Sequence, residues 1–356
     1  MKALLFGQIG LRKKQCLLDL EDFVKNHGKV LKCFNIGPMM YAANPAIRPH
    51  RILQKDISEL MSLRSLAWGQ MLSSIGSDTT SDCFLINSHA VFRWSRGLFS
   101  GFTKREIEDL NPDICIVLID DIHDIKLALH HRSHKPESCT LKDIIIWREE
   151  EMLASEFAAS MVGCKQYMVT KKQCPDLLYK LLFQNTQKKA YLSYPITLVR
   201  SIPKAWDDIT AFRQKLSDQL ICFDPFSITE GFLQGLYDKL ATEEGRQFVD
   251  VDVESEKAVI RLPINEIAEV IPNIKGQIVA RDFRLIDQSD MVIAYIPVVN
   301  SLPAISQGVE RELAHAQRGT LDTYVIWPYK RRPSPFLEPT KTFASVDELL
   351  LNIASL

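Results

Sequence analysis

The chain has no run of about 18 consecutive apolar residues, so it offers no membrane-spanning helix. It has no C-x-x-C pair among its eight cysteines, which removes the usual zinc and thiol-redox signatures. Several of these cysteines sit inside apolar runs, where a reduced, buried thiol is the ordinary state, and the expected compartment is a reducing cytoplasm. Charge excess is missing too. With 43 Lys+Arg against 44 Asp+Glu, the formal net charge is -1, and an extended nucleic-acid surface ordinarily needs a basic face. No internal repeat of fixed period is present. The apolar start, Met1 to Phe6, stops at Gly7 and is followed at once by Arg12, Lys13 and Lys14, which suits a short buried strand better than a cleaved leader. What remains is 356 residues, 46% of them hydrophobic, enough for two ordinary α/β cores.

Short apolar strands alternate with helical spacing along the chain. Strands are expected at 2–6, 30–36, 82–87 and 114–119, and helices at 13–27, 56–74 and 141–161. Gly28 suits a helix stop. A polar break at 184–189 precedes a second α/β series. There, strands are expected at 190–194, 222–224, 291–296 and 323–327, and helices at 207–220, 308–318 and 346–354. The basic, proline-rich stretch 329–339 reads as a loop. The expected architecture is α/β with two domains, 1–186 and 188–356, each a mainly parallel sheet flanked by helices.

The first strand–loop–helix is where a phosphate-binding loop would lie. Its pattern, G-x-x-x-x-G-K-[ST], lets backbone N–H groups approach phosphate, adds a lysine charge and supplies a hydroxyl for magnesium. Here Gly7 and Lys13 are in register, Gly10 adds a further glycine, Arg12 replaces the second motif glycine and Lys14 replaces the hydroxyl residue. Together with 30–40 (VLKCFNIGPMM), 85–93 (LINSHAVFR) and 110–121 (LNPDICIVLIDD), this half resembles the archaeal-type adenylate kinases. The resemblance implies a nucleotide ligand at Gly7, Gly10, Arg12 and Lys13. It also implies a strand-end aspartate where this chain has Asn87, so both magnesium-holding groups are replaced. Phosphoryl transfer relies on metal charge, so a catalytically inactive kinase-like domain with impaired magnesium binding is expected. A basic patch, His130, His131, Arg132, His134 and Lys135, lies where the family has its lid.

In the second half, 189–195 (KAYLSYP), 282–296 (DFRLIDQSDMVIAYI) and 306–316 (SQGVERELAHA) occur in order. This set resembles the nucleoside 2-deoxyribosyltransferases, with Tyr191, Asp282, Asp290, Gly308 and Glu312 in register. Splitting an N-glycosidic bond builds positive charge on the sugar, which a carboxylate can stabilise or attack. The resemblance implies Glu312 as nucleophile, Tyr191 as its positioning partner and Asp282 as the group that assists departure of the base. It implies a substrate-binding role for Ser306, Gly308 and Asp290, although Asp290 also suits a strand-opening turn. Near a helix start, Glu312 is expected to stay ionised. Glu310 is expected on a solvated face and His315 in a structural role. The family's sugar-binding aspartate is replaced by Ser306, which leaves nucleotides and NAD-like dinucleotides open, with Arg200, Arg281 or Arg284 as charge for a phosphate.

The leading expectation is therefore an enzyme that cleaves or transfers an N-glycosidic bond of a small nucleoside or nucleotide. It needs no metal or cofactor for that step and carries a nucleotide-sensing first domain, an arrangement that suits nucleotide-depleting antiviral defence. The alternatives are a non-catalytic nucleotide-binding scaffold and a bifunctional salvage enzyme with an active kinase. The deoxyribosyltransferase resemblance also implies a homo-oligomer, whether alone or within a larger complex.

Overall fold

The computed structural model describes residues 1–48, 52, 55–94, 97–131, 139–240, 246–330, 333, 337 and 339–354. It is α/β throughout, with two five-stranded parallel sheets. The chain divides into two compact units. One comprises Met1–Phe183 and Thr229–Lys275, the other Gln184–Ile228 and Gly276–Leu356. The two-domain expectation had assigned all of 188–356 to the second domain. The fold instead returns residues 229–275 to the first unit.

In the first unit, strands β1 (Lys2–Phe6), β2 (Leu31–Asn35), β3 (Cys83–Asn87), β4 (Ile114–Ile119) and β5 (Lys165–Thr170) form a sheet ordered β2-β3-β1-β4-β5. Every neighbouring pair is parallel. All six residues of β4 are buried, as both-face coverage by helices requires of a central parallel strand. Helix Leu141–Val162 begins at a capping box, in which Thr140 and Asp143 satisfy each other's backbone N–H groups, and ends at Gly163 with φ 68°. Residues Ile36–Ala43 form a helix directly after β2. Its Pro38 falls in the first turn, where no intrahelical N–H is needed.

Residues 229–275 add helix Phe232–Leu240 and an antiparallel pair, Phe248–Val253 with Ala258–Pro263. In the first of these strands the valines point inward and alternate with exposed neighbours. Acidic side chains fasten this segment to the rest of its unit. Glu230 meets Arg148 through two hydrogen bonds, 2.7 and 3.0 Å. Glu266 meets Lys126 at 3.0 Å, Glu269 meets Lys142 at 2.9 Å, and Glu256 pairs with Arg12.

In the second unit, β6 (Lys189–Ser193), β7 (Ile221–Phe223), β8 (Met291–Tyr295), β9 (Asp322–Ile326) and β10 (Lys341–Phe343) are ordered β10-β9-β8-β6-β7, all parallel. This is a doubly wound sheet whose winding direction reverses between β6 and β8. Ligands of such sheets bind beyond the carboxyl ends of the strands at that reversal. Its core gathers Leu192, Ile209, Phe212, Ile293, Ile326 and Phe343. Among the described residues no helix is long and apolar enough to cross a membrane, and the eight cysteines are free thiols.

Candidate functional site

Strand alternation puts Tyr191 and Ser193 on one face of β6, and Ser193 ends the strand at the reversal point. Helix Gln307–Arg318 presents the opposing carboxylate. Ser306 caps it, its Oγ accepting from the Val309 N–H at 3.3 Å. Val309, Leu313 and Ala316 bury one stripe of the helix, and Glu312 flanks that stripe. Ser193 Oγ donates to Glu312 Oε2 at 2.5 Å.

The Glu312 carboxyl is pushed up to about 8, first by burial and then by the nearby Asp282 charge. Ser193, Tyr191 and Arg281 oppose that rise without cancelling it. The expectation that the helix start would keep Glu312 ionised is therefore corrected. It is the sixth residue of the helix, past the first turn in which the dipole acts, and desolvation prevails. The Asp282 carboxyl is also raised by burial, while the Arg281 guanidinium beside it, with Nε at 3.1 Å and Nη2 at 3.0 Å, holds it down. Tyr191 is wholly buried, and desolvation together with Asp282 and Glu312 drives its hydroxyl well above the usual phenol value. Just past the end of β6, Tyr194 donates to Asp224 at 2.6 Å, and Arg213 closes on the other oxygen of Asp224 at 2.6 Å.

The fold thus brings Tyr191, Asp282 and Glu312 together, and adds Ser193 and Arg281. Asp290 does not join them. Its Oδ2 accepts from the Lys189 N–H at 2.8 Å, and its own N–H returns a bond to the Lys189 carbonyl. That clamp lies at the start of β6 and β8, the opposite end from Ser193, so Asp290 is a strand-opening residue. Ser306 is engaged in capping. Gly308 is exposed, and an added Cβ would meet only Ser306 Oγ, at an ordinary 3.5 Å, so nothing there requires glycine. Glu310 is exposed, and His315 stacks on Phe283 and bonds Asp287 at 2.7 Å, a structural role. Arg200 is exposed over the Phe226 ring, and Arg281 is taken by Asp282, which leaves neither poised for a phosphate. Ser193 was missed because a strand serine gives no signal until its partner, 119 residues away, is in place.

The loop after β1 uses its glycines against its own chain. Gly7 has φ 144°, and a Cβ there would lie 2.7 Å from the Leu118 carbonyl oxygen. Gly10 has φ 101°, and a Cβ would lie 2.8 Å from Ile125. Lys13 is buried and donates to the carbonyls of Gly7 and Ser88, each at 2.6 Å. Arg12 adopts a left-handed backbone and pairs with Glu256, while Lys14 is exposed. Asn87 donates to Asn35 at 2.8 Å.

After β4, Asp121 accepts from the Thr229 and Glu230 N–H groups at 2.8 Å, from Thr229 Oγ1 at 2.9 Å and from Lys172 at 2.5 Å. Asp121, His123 and Asp124 lie close enough together for a cation, but those four donors already fill the Asp121 oxygens. Asp120 is pushed up to about 7 by burial, against the pull of Lys171 at 3.3 Å. A cavity of about 420 Å³ opens here, lined in part by Arg12, Asp19, Asp120, Lys171, Lys172 and Glu256. Of the basic patch, His130 and His131 are described, whereas Arg132, His134 and Lys135 lie outside the described residues.

No protein-family model matches this chain, and no curated protein matches it.

Proposed function

We propose that the second unit cleaves or transfers the N-glycosidic bond of a nucleoside, nucleotide or NAD-like substrate, with Glu312 as the group that meets the anomeric carbon. One observation carries the reading. A half-buried carboxyl at the reversal point of a doubly wound sheet is held by Ser193 and raised in part by the charge of a second carboxyl, Asp282, which is paired with its own guanidinium. Two carboxyl groups with perturbed pKa values in one site suit a displacement in which one attacks and the other handles the proton. Ser193 orients Glu312, the buried Tyr191 hydroxyl favours its carboxylate, and Asp282 takes or gives the proton at the base or the water. No metal is required for that step.

The test is incubation of the purified full chain with nucleosides, nucleotides and NAD, followed by chromatography for the free base. Release that falls about 10³-fold or more in Glu312→Gln supports the reading. Absence of release from every substrate overturns it.

For the first unit we propose a kinase-like scaffold without phosphoryl transfer. Lys13, Arg12 and Asp121 are each engaged within the chain, and residues that would hold magnesium are replaced by Lys14 and Asn87. Nucleotide sensing by this unit would require a ligand that displaces Glu256 from Arg12. A role in antiviral nucleotide depletion is part of the same proposal and depends on which substrate the second unit accepts.

A further inference from the structure

The end of β6 is fastened differently along its two edges. Toward β8 the ladder runs on to Ser193, which lies opposite Ala294. Toward β7 it stops two residues earlier, at Tyr191 opposite Phe223. Past that point side chains take over. Tyr194 Oη donates to Asp224 Oδ1 at 2.6 Å, and Arg213 Nε, from helix Pro203–Ser217, donates to Asp224 Oδ2 at 2.6 Å. The Phe226 N–H adds a bond to Asp224 Oδ1 at 3.0 Å, and Ser227 Oγ donates to the Asp224 carbonyl at 2.6 Å. Tyr194 and Asp224 are both buried. Tyr194 packs with Leu192 and Phe212 in the core, continuing the face of β6 opposite to Tyr191 and Ser193.

A buried carboxylate surrounded by donors is a fixed post, because moving any donor away leaves it uncompensated. One peptide bond joins Tyr194 to Ser193, and Ser193 Oγ reaches Glu312 Oε2 at 2.5 Å. Hydrogen bonds weaken steeply with distance and angle, so a small displacement at the end of β6 is felt at the carboxylate. We infer that Tyr194, Asp224 and Arg213 are positioning residues for Glu312, fixing the end of β6 from the opposite face so that Ser193 stays in reach of the carboxylate. This deepens the glycosidase reading and rests on it. Asp282 and Arg281 from helix Ile264–Asp287 and Tyr191 from β6 also act on Glu312, and the variant Tyr194→Phe changes none of them.

The experiment uses the full chain as wild type, Tyr194→Phe, Ser193→Ala and the double variant. Phenylalanine keeps the buried ring and removes only the hydroxyl. The Glu312 carboxyl is titrated by infrared difference spectroscopy, its band assigned with Glu312→Gln, and base release is followed by chromatography. Loosening the Ser193 bond removes a contact that favours the carboxylate. Tyr194→Phe should therefore move the titration up by at least about half a unit, and by no more than Ser193→Ala does. The double variant should shift no further than Ser193→Ala alone, since residues acting through one bond are not additive. At pH 7 kcat should fall about tenfold in Tyr194→Phe, with KM unchanged within about twofold. A Tyr194→Phe titration that coincides with the wild type overturns the inference whether or not any substrate turns over. Shifts that add in full in the double variant overturn it too, because Tyr194 would then act by a route other than Ser193. A kinetic change confined to KM likewise overturns it. A shifted, non-additive titration with no base release from any substrate supports the positioning and overturns the glycosidase reading instead.

Discussion

Ser193 Oγ donates to Glu312 Oε2 across 2.5 Å, joining the end of one strand to the flank of a helix. That bond favours the ionised form of Glu312, so its loss moves the carboxyl still higher. Hydrogen bonds to charged groups contribute about 1.5–3 kcal/mol, and one pKa unit corresponds to about 1.4 kcal/mol. Ser193→Ala should therefore shift the ascending limb of the base-release pH profile up by about one unit. At pH 7 it should lower the rate about tenfold, with little change in thermal midpoint. An unshifted limb would separate Ser193 from the chemistry.

Glu312 also makes stability depend on pH in an unusual sense. Its folded value of about 8 lies above its ordinary 4.5. Between those values the native state holds a proton that the unfolded chain has released, so Glu312 favours folding less and less as pH rises from about 4.5 to 8. In Glu312→Gln that loss is absent. Melting temperatures taken from pH 5 to 9 should show the variant gaining on the wild type as pH rises and exceeding it at pH 8.5. Parallel curves would contradict the buried, proton-holding state.

Much of this fold is written locally. The strand expected at 114–119 coincides with β4, and the helix expected at 346–354 coincides with Val346–Ala354, because continuous or periodic burial is visible without partners. Helix Ile264–Asp287 went unread because Pro272 and Gly276 punctuate it. The Phe248–Val253 strand did carry a signal, the alternating F-V-D-V-D-V, whose period of two places a valine at each of its three buried positions. The site was only partly legible. Tyr191, Asp282 and Glu312 are marked by residue type and order, but Ser193, Arg281 and the Arg148–Glu230 pair gain meaning only through contacts that the linear order hides. Asp290 shows the reverse case, a residue in register with a family pattern whose carboxylate serves backbone pairing.

The pairs that fasten residues 229–275 should differ sharply in strength. Arg148 and Glu230 are 4% and 1% exposed at their side chains, whereas Arg12 and Glu256 are 34% and 21%. Glu230→Ala strands a buried guanidinium and should cost about 3–5 kcal/mol in urea unfolding. Glu256→Ala opens a solvated pair and should cost about 1 kcal/mol or less. Limited proteolysis should cut within 229–275 faster in the first variant and at the wild-type rate in the second. Similar losses for both would mean that the segment is held chiefly by its apolar contacts.

Lys13 offers the sharpest test of the first unit, because its motif role and its observed role predict different things. A phosphate-cradling lysine matters only with nucleotide bound. Here the ammonium satisfies two carbonyls of its own chain, those of Gly7 and Ser88. Removing it leaves buried acceptors unpaired at about 1–3 kcal/mol. Lys13→Met should therefore lower the thermal midpoint in the absence of any nucleotide, and neither wild type nor variant should move phosphate from ATP to a nucleoside monophosphate in the presence of magnesium. Wild-type phosphotransfer that disappears in the variant, with an unchanged midpoint, would make the loop a working phosphate cradle. In that case the replacements at Arg12, Lys14 and Asn87 would have been compensated elsewhere in the unit.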